Sequence, residues 1–297
     1  MSCMLCPRRC GAKREEGARG VCGADGALKA ARAGLHFWEE PCISGVGGSG
    51  AVFFSGCPLG CVFCQNYAVS HETQGQAISA KRLAEIFRRL EAQGAHNINL
   101  VSPTPYVEEI INALDIYKPN IPIVYNTSGY ERVETLERID PYIDIYLPDL
   151  KYVSPEISKK YSGAGDYFDY ASRAVLWMLG RKAPAQFDEN GMMRRGVILR
   201  HLVMPGNLRQ TYLLIDWLKD HVAADTPISL MGQYFPAGRA AEFPEIARPL
   251  RPREYERACE RLIGAGFTQG YFQELAAASE AFVPQFDGSG LTEEKDE

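Results

Sequence analysis

The regular alternation of two kinds of segment after about residue 50 restricts the fold of this chain most. Runs rich in β-branched and aromatic residues predict strands at 51–55, 97–102, 121–126, 143–149, 197–203 and 227–231. Amphipathic stretches between them predict helices, such as the one with apolar positions Leu83, Ile86, Phe87 and Leu90. This alternation favours an α/β fold with a parallel sheet and right-handed crossovers. Six such units predict a partial (β/α)6 barrel with its chemistry at the carboxyl ends of the strands.

Composition narrows the functional class. The chain has 297 residues, of which 46% are hydrophobic, and this is enough for one large core and a small appendage. A net charge of −5 argues against a general nucleic-acid or membrane-surface binder. The sequence contains no run of 18 apolar residues and no apolar signal segment at its start. Closely spaced cysteines then predict metal ligands in a reducing compartment, and we expect a cytoplasmic protein without membrane contact.

Three regions differ in composition. Residues 1–45 are cysteine-rich and predict a small metal-binding cap, and residues 46–283 carry the alternating pattern of the barrel. Within the barrel, residues 154–195 interrupt the rhythm with a helix and a hairpin that turns at 188–191. Residues 284–297 are polar and end in a charged run, which predicts a disordered tail.

A cysteine motif follows the first predicted strand directly. Cys57, Cys61 and Cys64 have the spacing C-x3-C-x2-C. Three thiolates in so short a loop can bind three irons of a [4Fe–4S] cluster and leave the fourth iron without a protein ligand. Such an open iron can bind a small molecule directly. A zinc knuckle is the weaker alternative, because structural zinc normally takes four protein ligands.

With a glycine before it and Gln65 and Asn66 after it, this motif resembles that of the radical S-adenosylmethionine (SAM) superfamily. The resemblance is to homologues of pyruvate formate-lyase activating enzyme, over roughly residues 35–275. It implies that the amino and carboxylate groups of SAM bind the open iron. One electron then cleaves SAM to methionine and a 5′-deoxyadenosyl radical, which abstracts a hydrogen atom from the substrate. The resemblance also implies an electron donor of the flavodoxin or ferredoxin type.

The resemblance suggests SAM contacts near the motif and after the second strand. Phe63 stands where the superfamily packs an apolar residue against the adenine, with ordinary core packing as the alternative. Many relatives carry Gly-Gly-Glu-Pro after the second strand, whereas residues 102–105 read Ser-Pro-Thr-Pro here. Ser102 or Thr104 would therefore meet the SAM amino group. With this departure, the strand end resembles that of the activating-enzyme homologues whose substrate is uncertain.

Three further strand ends resemble those of activating enzymes, at 126–129, 147–151 and 200–206. By this resemblance Lys151 would pair with the SAM carboxylate, and Asp149 would orient Lys151 or hold a monovalent cation. Asn126 replaces an acidic residue, which argues against the cation. Arg200 would reach SAM or the substrate. The alternatives are a solvated ion pair of Asp149 with Lys151 and a structural role for Arg200. No side chain is assigned a catalytic role beyond the cluster and SAM.

Four more thiols, with spacing C-x2-C-x3-C-x11-C, lie near the N-terminus: Cys3, Cys6, Cys10 and Cys22. Four thiolates can bind one zinc ion or a second iron–sulfur cluster. Without a metal this segment has little apolar surface to fold around. Cys42 is a further thiol that could replace one of these ligands, whereas Cys259 fits the apolar side of a helix. His36 and residues 38–40 lie just before the barrel, where packing is a better expectation than substrate contact.

These patterns leave three functional hypotheses. In the first, the protein activates a glycyl radical enzyme by taking a hydrogen atom from a glycine of that partner. In the second, the radical chemistry is the same and the substrate is a small molecule, another protein or a modified nucleotide. In the third, the chain is a non-catalytic iron–sulfur or zinc protein.

Overall fold

Strands and helices alternate along most of the chain. The computed structural model describes residues 2–273, 275 and 282–292. The strands are β1 (Lys29–His36), β2 (Ser49–Phe54), β3 (Gln76–Ala77), β4 (Ile98–Val101), β5 (Ile123–Thr127), β6 (Ile145–Pro148), β7 (Gln186–Phe187), β8 (Met193–Val197), β9 (Leu199–Leu202), β10 (Ile228–Met231) and β11 (Gly270–Phe272). Every residue of β2, β4, β5, β6 and β10 is buried, as expected of parallel strands covered on both faces.

The strands form two sheets. One has the order β3-β1-β2-β4-β5-β6-β8-β7, with parallel pairing from β2 to β8, and the other contains β9, β10 and β11, all parallel. The predicted α/β class with a parallel sheet is therefore confirmed, while the partial barrel stays a prediction. The division falls at Ile198, where the chain leaves β8 beside β6 and continues as β9 beside β10. A bridge between Asp149 and Arg200 joins the sheets at this point.

The helices cover the sheets and are α1 (Pro41–Ser44), α2 (Tyr67–Ser70), α3 (Ala80–Ala92), α4 (Val107–Ile116), α5 (Val133–Ile139), α6 (Pro155–Ser162), α7 (Tyr167–Lys182), α8 (Leu208–His221) and α9 (Pro252–Gly264). Helix α3 begins where the sequence predicts, because the hydroxyl of Ser79 accepts a hydrogen bond from the Arg82 N–H at 3.0 Å. Its predicted apolar face is buried in the main core. Within the described residues, no helix is both long and apolar enough to span a membrane.

Strand β1 lies inside the residues assigned to the N-terminal cap, yet it belongs to the large sheet. It pairs antiparallel with β2 from Ala30 to His36. Its alanines Ala30, Ala31 and Ala33 are buried, and this explains the pairing, because small residues let a strand lie close under neighbouring elements. Strand β1 therefore belongs to the sheet although it falls within residues 1–45, and the boundary at residue 45 stays a prediction.

The C-terminal segment 282–292 also differs from the predicted disordered tail. The Gly288 N–H donates to the Ala31 carbonyl at 2.9 Å, and the Ser289 carbonyl accepts from the Ala33 N–H at 3.0 Å. Leu291 is 1% exposed. The segment stays on the protein because its polar sequence contains apolar anchors that pack against the sheet. Residues 293–297 lie outside the described part of the chain.

Candidate active site and cluster-binding loop

The three cysteines of the C-x3-C-x2-C motif lie at the carboxyl end of β2. Cys57, Cys61 and Cys64 all line one cavity of about 230 Å³. Gly56 makes the sharp exit from the strand with a φ of +88°, a conformation that favours glycine. Among the described residues, no other cysteine lines this cavity. The loop therefore presents three thiols to one space, which fits a cluster with one iron left open.

The thiols are close enough to influence one another. Burial raises the pKa of Cys57 to about 12, and the neighbouring Cys61 and Cys64 thiols contribute to this increase. Such a group becomes a thiolate when a metal cation supplies the compensating charge. Across residues 2–273, 275 and 282–292, no three His, Cys, Asp or Glu side chains surround a single point tightly enough to hold one metal ion. Three cysteines that each bind a different iron do not need to meet at one point.

Phe63 lies between the last two cysteines and is 5% exposed. Its ring packs against Tyr152, Tyr161 and Tyr234 at centroid distances of 5.9–6.3 Å. The same residue also lines the cavity. Phe63 therefore belongs to an aromatic cluster and also forms part of the cavity wall near the cysteines, and its packing against the adenine stays a prediction.

Polar side chains follow the parallel strands into the same cavity. Asn126, Asp149, Lys151 and Arg200 all line it, as the sequence predicts. Arg200 Nε donates to Asp149 Oδ1 at 3.0 Å, and Lys151 Nζ donates to Asp149 Oδ2 at 2.7 Å. Arg200 Nη2 donates to Asn126 Oδ1 at 2.6 Å. Both oxygens of Asp149 thus accept hydrogen bonds from cationic side chains, and a monovalent cation at this carboxylate stays a prediction.

This charge network is buried, in contrast to the solvated pair that was the alternative. The Asp149 and Lys151 side chains are 14% and 15% exposed. Burial disfavours the Asp149 carboxylate, but Arg200 and Lys151 outweigh that effect and hold its pKa below the usual value. Burial also disfavours the Lys151 ammonium, and the attraction of Asp149 outweighs it, so the pKa of Lys151 is raised. Both groups are therefore charged at neutral pH, and Lys151 can offer a cation to a ligand carboxylate.

Glu39 completes the network, although the sequence favoured a packing role for this region. Its Oε2 accepts from Arg200 Nη1 at 3.0 Å, and its Oε1 accepts from Asn99 Nδ2 at 3.0 Å and Asn126 Nδ2 at 3.1 Å. Glu39 therefore ties β4, β5 and β9 together at the cavity. The signal that could have revealed it is the pair of adjacent acidic residues, Glu39 and Glu40, directly before Pro41, which begins α1.

The strand end at 102–105 places its two candidate SAM ligands differently. Ser102 lines the cavity and has a left-handed φ of 58°. Thr104 is not among the described residues that line the cavity, and its hydroxyl donates to Glu131 Oε1 at 2.6 Å. Prolines on both sides bend the chain into a short 3-10 helix at Thr104–Tyr106, which turns Thr104 inward. The Thr104 hydroxyl therefore points away from the cavity, and the contact of Ser102 or Thr104 with the SAM amino group stays a prediction.

Glu131 lies under this part of the site and is 1% exposed. Its Oε1 accepts from the hydroxyls of Thr104 and Thr127 at 2.6 and 2.5 Å. Burial raises the pKa of Glu131 to about 7. The carboxyl therefore joins the ends of β4 and β5 from below. No sequence pattern predicts a buried acidic residue at this position.

Aromatic and apolar side chains also line the cavity, among them Trp38, Phe53, Met231 and Phe282, together with the ring of His36. Burial, and to a lesser degree Arg32, lowers the pKa of His36 to about 4, so the ring is neutral at pH 7. The rings of Trp38 and Phe282 stand edge to face at 4.5 Å. The C-terminal segment thus contributes to the wall of the cavity and helps to exclude water from it.

The four N-terminal thiols lie near one another. Atoms Sγ of Cys10 and Cys22 both lie 3.4 Å from where a Cβ on Gly20 would stand. Burial raises the pKa of the Cys6 thiol to about 12, and the nearby Cys22 and Cys3 thiols contribute to this increase. Four clustered thiols suit a soft metal, although their present arrangement is not closed around one point. The second metal site therefore stays a prediction.

The two remaining cysteines lie elsewhere. Cys42 is 5% exposed and packs with Val124, Ile145 and Leu147, away from the four N-terminal thiols. The idea that Cys42 replaces one of those ligands is therefore wrong for this structure. Cys259 packs against the main core from α9, as its spacing predicts.

The fold and the site together define an α/β protein with a three-cysteine cluster loop at the carboxyl ends of parallel strands. The family model described as "Radical SAM superfamily" matches residues 51–206, more than half of the chain. The chain therefore belongs to the radical SAM superfamily. Membership implies an enzyme of radical chemistry with a [4Fe–4S] cluster and SAM, and the residues at the cavity fit both.

Relatives of known sequence and structure agree with this assignment. The uncharacterized protein MJ0674 of Methanocaldococcus jannaschii is 31% identical over 269 residues, which cover 87% of this chain and 73% of that protein. Streptococcus suis SuiB bound to the precursor peptide SuiA is a similar solved structure, with a TM-score of 0.51 and 16% identity. That match covers 73% of this chain and 46% of SuiB, so the chain spans less than half the length of that structure. At this identity the likeness concerns the fold alone.

Proposed function

We propose that this protein uses its cluster and SAM to abstract a hydrogen atom from a C–H group of its substrate. We propose further that this group belongs to a glycine of a partner enzyme. The observation that carries the proposal is the convergence of Cys57, Cys61 and Cys64 with the buried pair Lys151 and Arg200 on one cavity. When bound, the cluster supplies the electron for the reductive cleavage of SAM. That electron comes from a donor protein of the flavodoxin or ferredoxin type.

Each part of the cavity has a role in this proposal. The three thiols would hold the cluster, Lys151 would hold the SAM carboxylate while Arg200 keeps Asp149 in place, and Phe63 would pack near the adenine. The aromatic side chains of the lining, such as Phe53 and Phe282, would pack against the substrate carbon that loses its hydrogen. Apolar and aromatic side chains suit this role because they form most of the contact surface in small-molecule sites.

Cleavage of SAM tests the enzymatic part of the proposal. Anaerobically reconstituted, reduced protein is expected to produce 5′-deoxyadenosine and methionine, measured by mass spectrometry. The Cys57→Ala variant should lose this activity together with most of its iron. Cys259→Ala is the matched control, because that thiol lies on α9 and outside the cavity. Iron-loaded wild-type protein that leaves SAM intact would favour the non-catalytic iron–sulfur or zinc protein.

Transfer to a partner tests the glycine donor. Incubation with a glycyl radical enzyme from the same organism is expected to give a glycyl radical signal in electron paramagnetic resonance. The motivation is the likeness of the strand ends at 126–129, 147–151 and 200–206 to those of activating enzymes. Absence of the signal with every such partner, alongside efficient SAM cleavage, would contradict it.

A second candidate substrate is a small uncharged molecule, with another protein or a modified nucleotide as further options. The aromatic wall formed by Trp38 and Phe282 supports it, because aromatic side chains commonly line the binding sites of small molecules. Deuterium transferred from a labelled candidate into 5′-deoxyadenosine would identify the donor.

We also propose that Cys3, Cys6, Cys10 and Cys22 hold a second metal, either zinc or an iron–sulfur cluster, in a reducing compartment such as the cytoplasm. The nearness of these thiols supports it, as does the free state of all nine cysteines. Metal counting distinguishes the options: about four irons with one zinc, or about eight irons. A protein with about four irons and no zinc would contradict a second site.

A further inference from the structure

The N-terminal segment contacts the cluster loop through the side chain of Arg8. Its Nε donates to the Pro58 carbonyl at 2.9 Å, and its Nη2 donates to the Leu59 carbonyl at 3.2 Å. The same guanidinium reaches the end of α6, where Nη2 donates to the Ser162 carbonyl at 2.8 Å and Nη1 to the Gly163 carbonyl at 2.6 Å. One side chain therefore joins the loop to a helix.

Pro58 and Leu59 lie between Cys57 and Cys61, so Arg8 holds the stretch that separates two of the three cluster cysteines. This stretch belongs to no helix or strand, and its carbonyl groups need donors from elsewhere in the protein. The carbonyl groups that end α6 carry the negative end of the helix dipole, which a cation stabilises. One planar guanidinium can donate to the carbonyl groups of the loop and to those at the end of α6, because its five N–H groups point in fixed directions.

A second contact involves the same loop and the same N-terminal segment. The Cys57 N–H donates to the Cys22 carbonyl at 3.2 Å. The neighbouring Gly56 fits closely here, because a Cβ at this position would stand 2.5 Å from the Cys22 carbonyl oxygen. The loop thus lies directly against the segment at its first cysteine.

The end of α6 reaches the second cysteine in turn. The Ser162 hydroxyl donates to Cys61 Sγ at 3.2 Å, and the carbonyl of the same residue accepts from Arg8. Arg8 is therefore linked to the position of Cys61 through both the loop and the helix end. These contacts explain how an irregular loop holds its thiols toward one cavity.

We propose that Arg8 is a positioning residue that holds the cluster loop in the conformation that accepts iron. The proposal rests on the function proposed above, since it concerns the same three cysteines. It assigns the N-terminal segment a role at the cluster in addition to any metal the segment itself holds.

The test compares Arg8→Lys with Arg9→Lys in the full-length, anaerobically reconstituted protein. Arg9 is the adjacent residue and is exposed, so the control makes the same substitution without touching the loop. Iron release to a chelator, followed by the visible spectrum of the cluster, is expected to be roughly tenfold faster in Arg8→Lys, as the loss of a charge-assisted hydrogen bond implies. Hydrogen–deuterium exchange of residues 56–64 in the metal-free chain should rise in the same variant alone.

Equal iron release and equal exchange in wild type, Arg8→Lys and Arg9→Lys would overturn the proposal. If Arg8→Lys does not fold, as judged by circular dichroism, Arg8→Gln replaces it, because this side chain retains N–H donors without the fork. Wild-type protein that binds iron and cleaves SAM, together with an unaffected Arg8 variant, refutes the positioning role alone. Wild-type protein that binds no iron refutes the proposed function.

Discussion

Arg200 places one guanidinium between Glu39, Asn126 and Asp149, at distances of 2.6 to 3.0 Å. Its charge is balanced by two carboxylates, because an unpaired guanidinium would be costly at this depth. Lysine could not replace it, since a single ammonium cannot meet three acceptors in one plane. Lys151 has three N–H donors and can add a bond to a ligand without releasing Asp149. The two cations of the site therefore divide the work of holding the cavity together and binding a ligand.

Glu131 gives a pH prediction at the residue scale. Its pKa in the folded protein is about 7, above the ordinary 4.5, so the folded state binds more protons than the unfolded state between these values. Stability contributed by this group is therefore present at low pH and is lost as pH rises, by up to about 3 kcal/mol. Glu131→Gln should remove this dependence and be relatively more stable at high pH.

Urea unfolding at about pH 5 and about pH 8 measures the effect. The matched control is Glu137→Gln, which alters an exposed glutamate on α5. If the difference in unfolding free energy between wild type and Glu131→Gln is the same at both pH values, the assignment of a raised pKa to this carboxyl is incorrect.

At the scale of elements, the C-terminal segment 282–292 covers one wall of the cavity. It pairs with β1 through Gly288 and Ser289, and Phe286 packs on Phe53 of β2 at 5.5 Å. Arg82 of α3 also donates to the Leu291 carbonyl at 2.8 Å. The segment therefore depends on anchors from three different elements, and it acts as a cover for the site rather than as a tail.

Leu291→Ala tests this anchoring. Loss of a buried leucine side chain should cost about 2–5 kcal/mol of local stability and loosen the segment. We expect faster hydrogen–deuterium exchange at 282–292 and faster proteolysis there. Leu213→Ala on α8 is the control, because that side chain is 37% exposed. Similar exchange in both variants would show that Leu291 does not hold the segment.

At the scale of the whole molecule, the two groups of cysteines are parts of one connected structure. Arg8 lies between Cys6 and Cys10 in the sequence and contacts the cluster loop, and the Cys22 carbonyl accepts from the Cys57 N–H. The N-terminal segment is also held by the Arg14 side chain, which donates to the Pro105 carbonyl at 2.5 Å. A change at the N-terminal thiols should therefore alter the conformation of the cluster loop.

Cys10→Ser tests this connection. We expect the variant to lose the proposed N-terminal metal and to release iron from the cluster loop faster than wild type, because the segment that carries Arg8 becomes less ordered. Metal analysis and chelator kinetics measure the two effects. Cys42→Ser serves as the control, since Cys42 lies in a separate apolar cluster. Unchanged iron release in a Cys10→Ser protein that has lost its N-terminal metal would show that the two groups of cysteines are structurally independent.

The sequence by itself determined the parallel α/β class, because hydrophobic periodicity is a local property that survives without knowledge of contacts. It also determined the position of Cys57, Cys61 and Cys64 at a strand end, and that of Asn126 and Asp149, since residues that follow parallel strands meet at one edge. The direction of the Thr104 side chain could not be predicted, because the turn made by its flanking prolines points inward and that direction depends on what lies beneath.

Only the tertiary structure decided the contacts between distant parts of the chain. Glu39 joins Arg200 across 161 positions, and Arg8 joins Gly163 across 155, so no local pattern could have connected them. The ends of the chain became part of the sheet and the cavity wall because isolated apolar residues such as Leu291 found buried sites there. Burial and pairing are properties of the assembled fold, and they convert a cysteine motif that many chains could carry into the particular site of this protein.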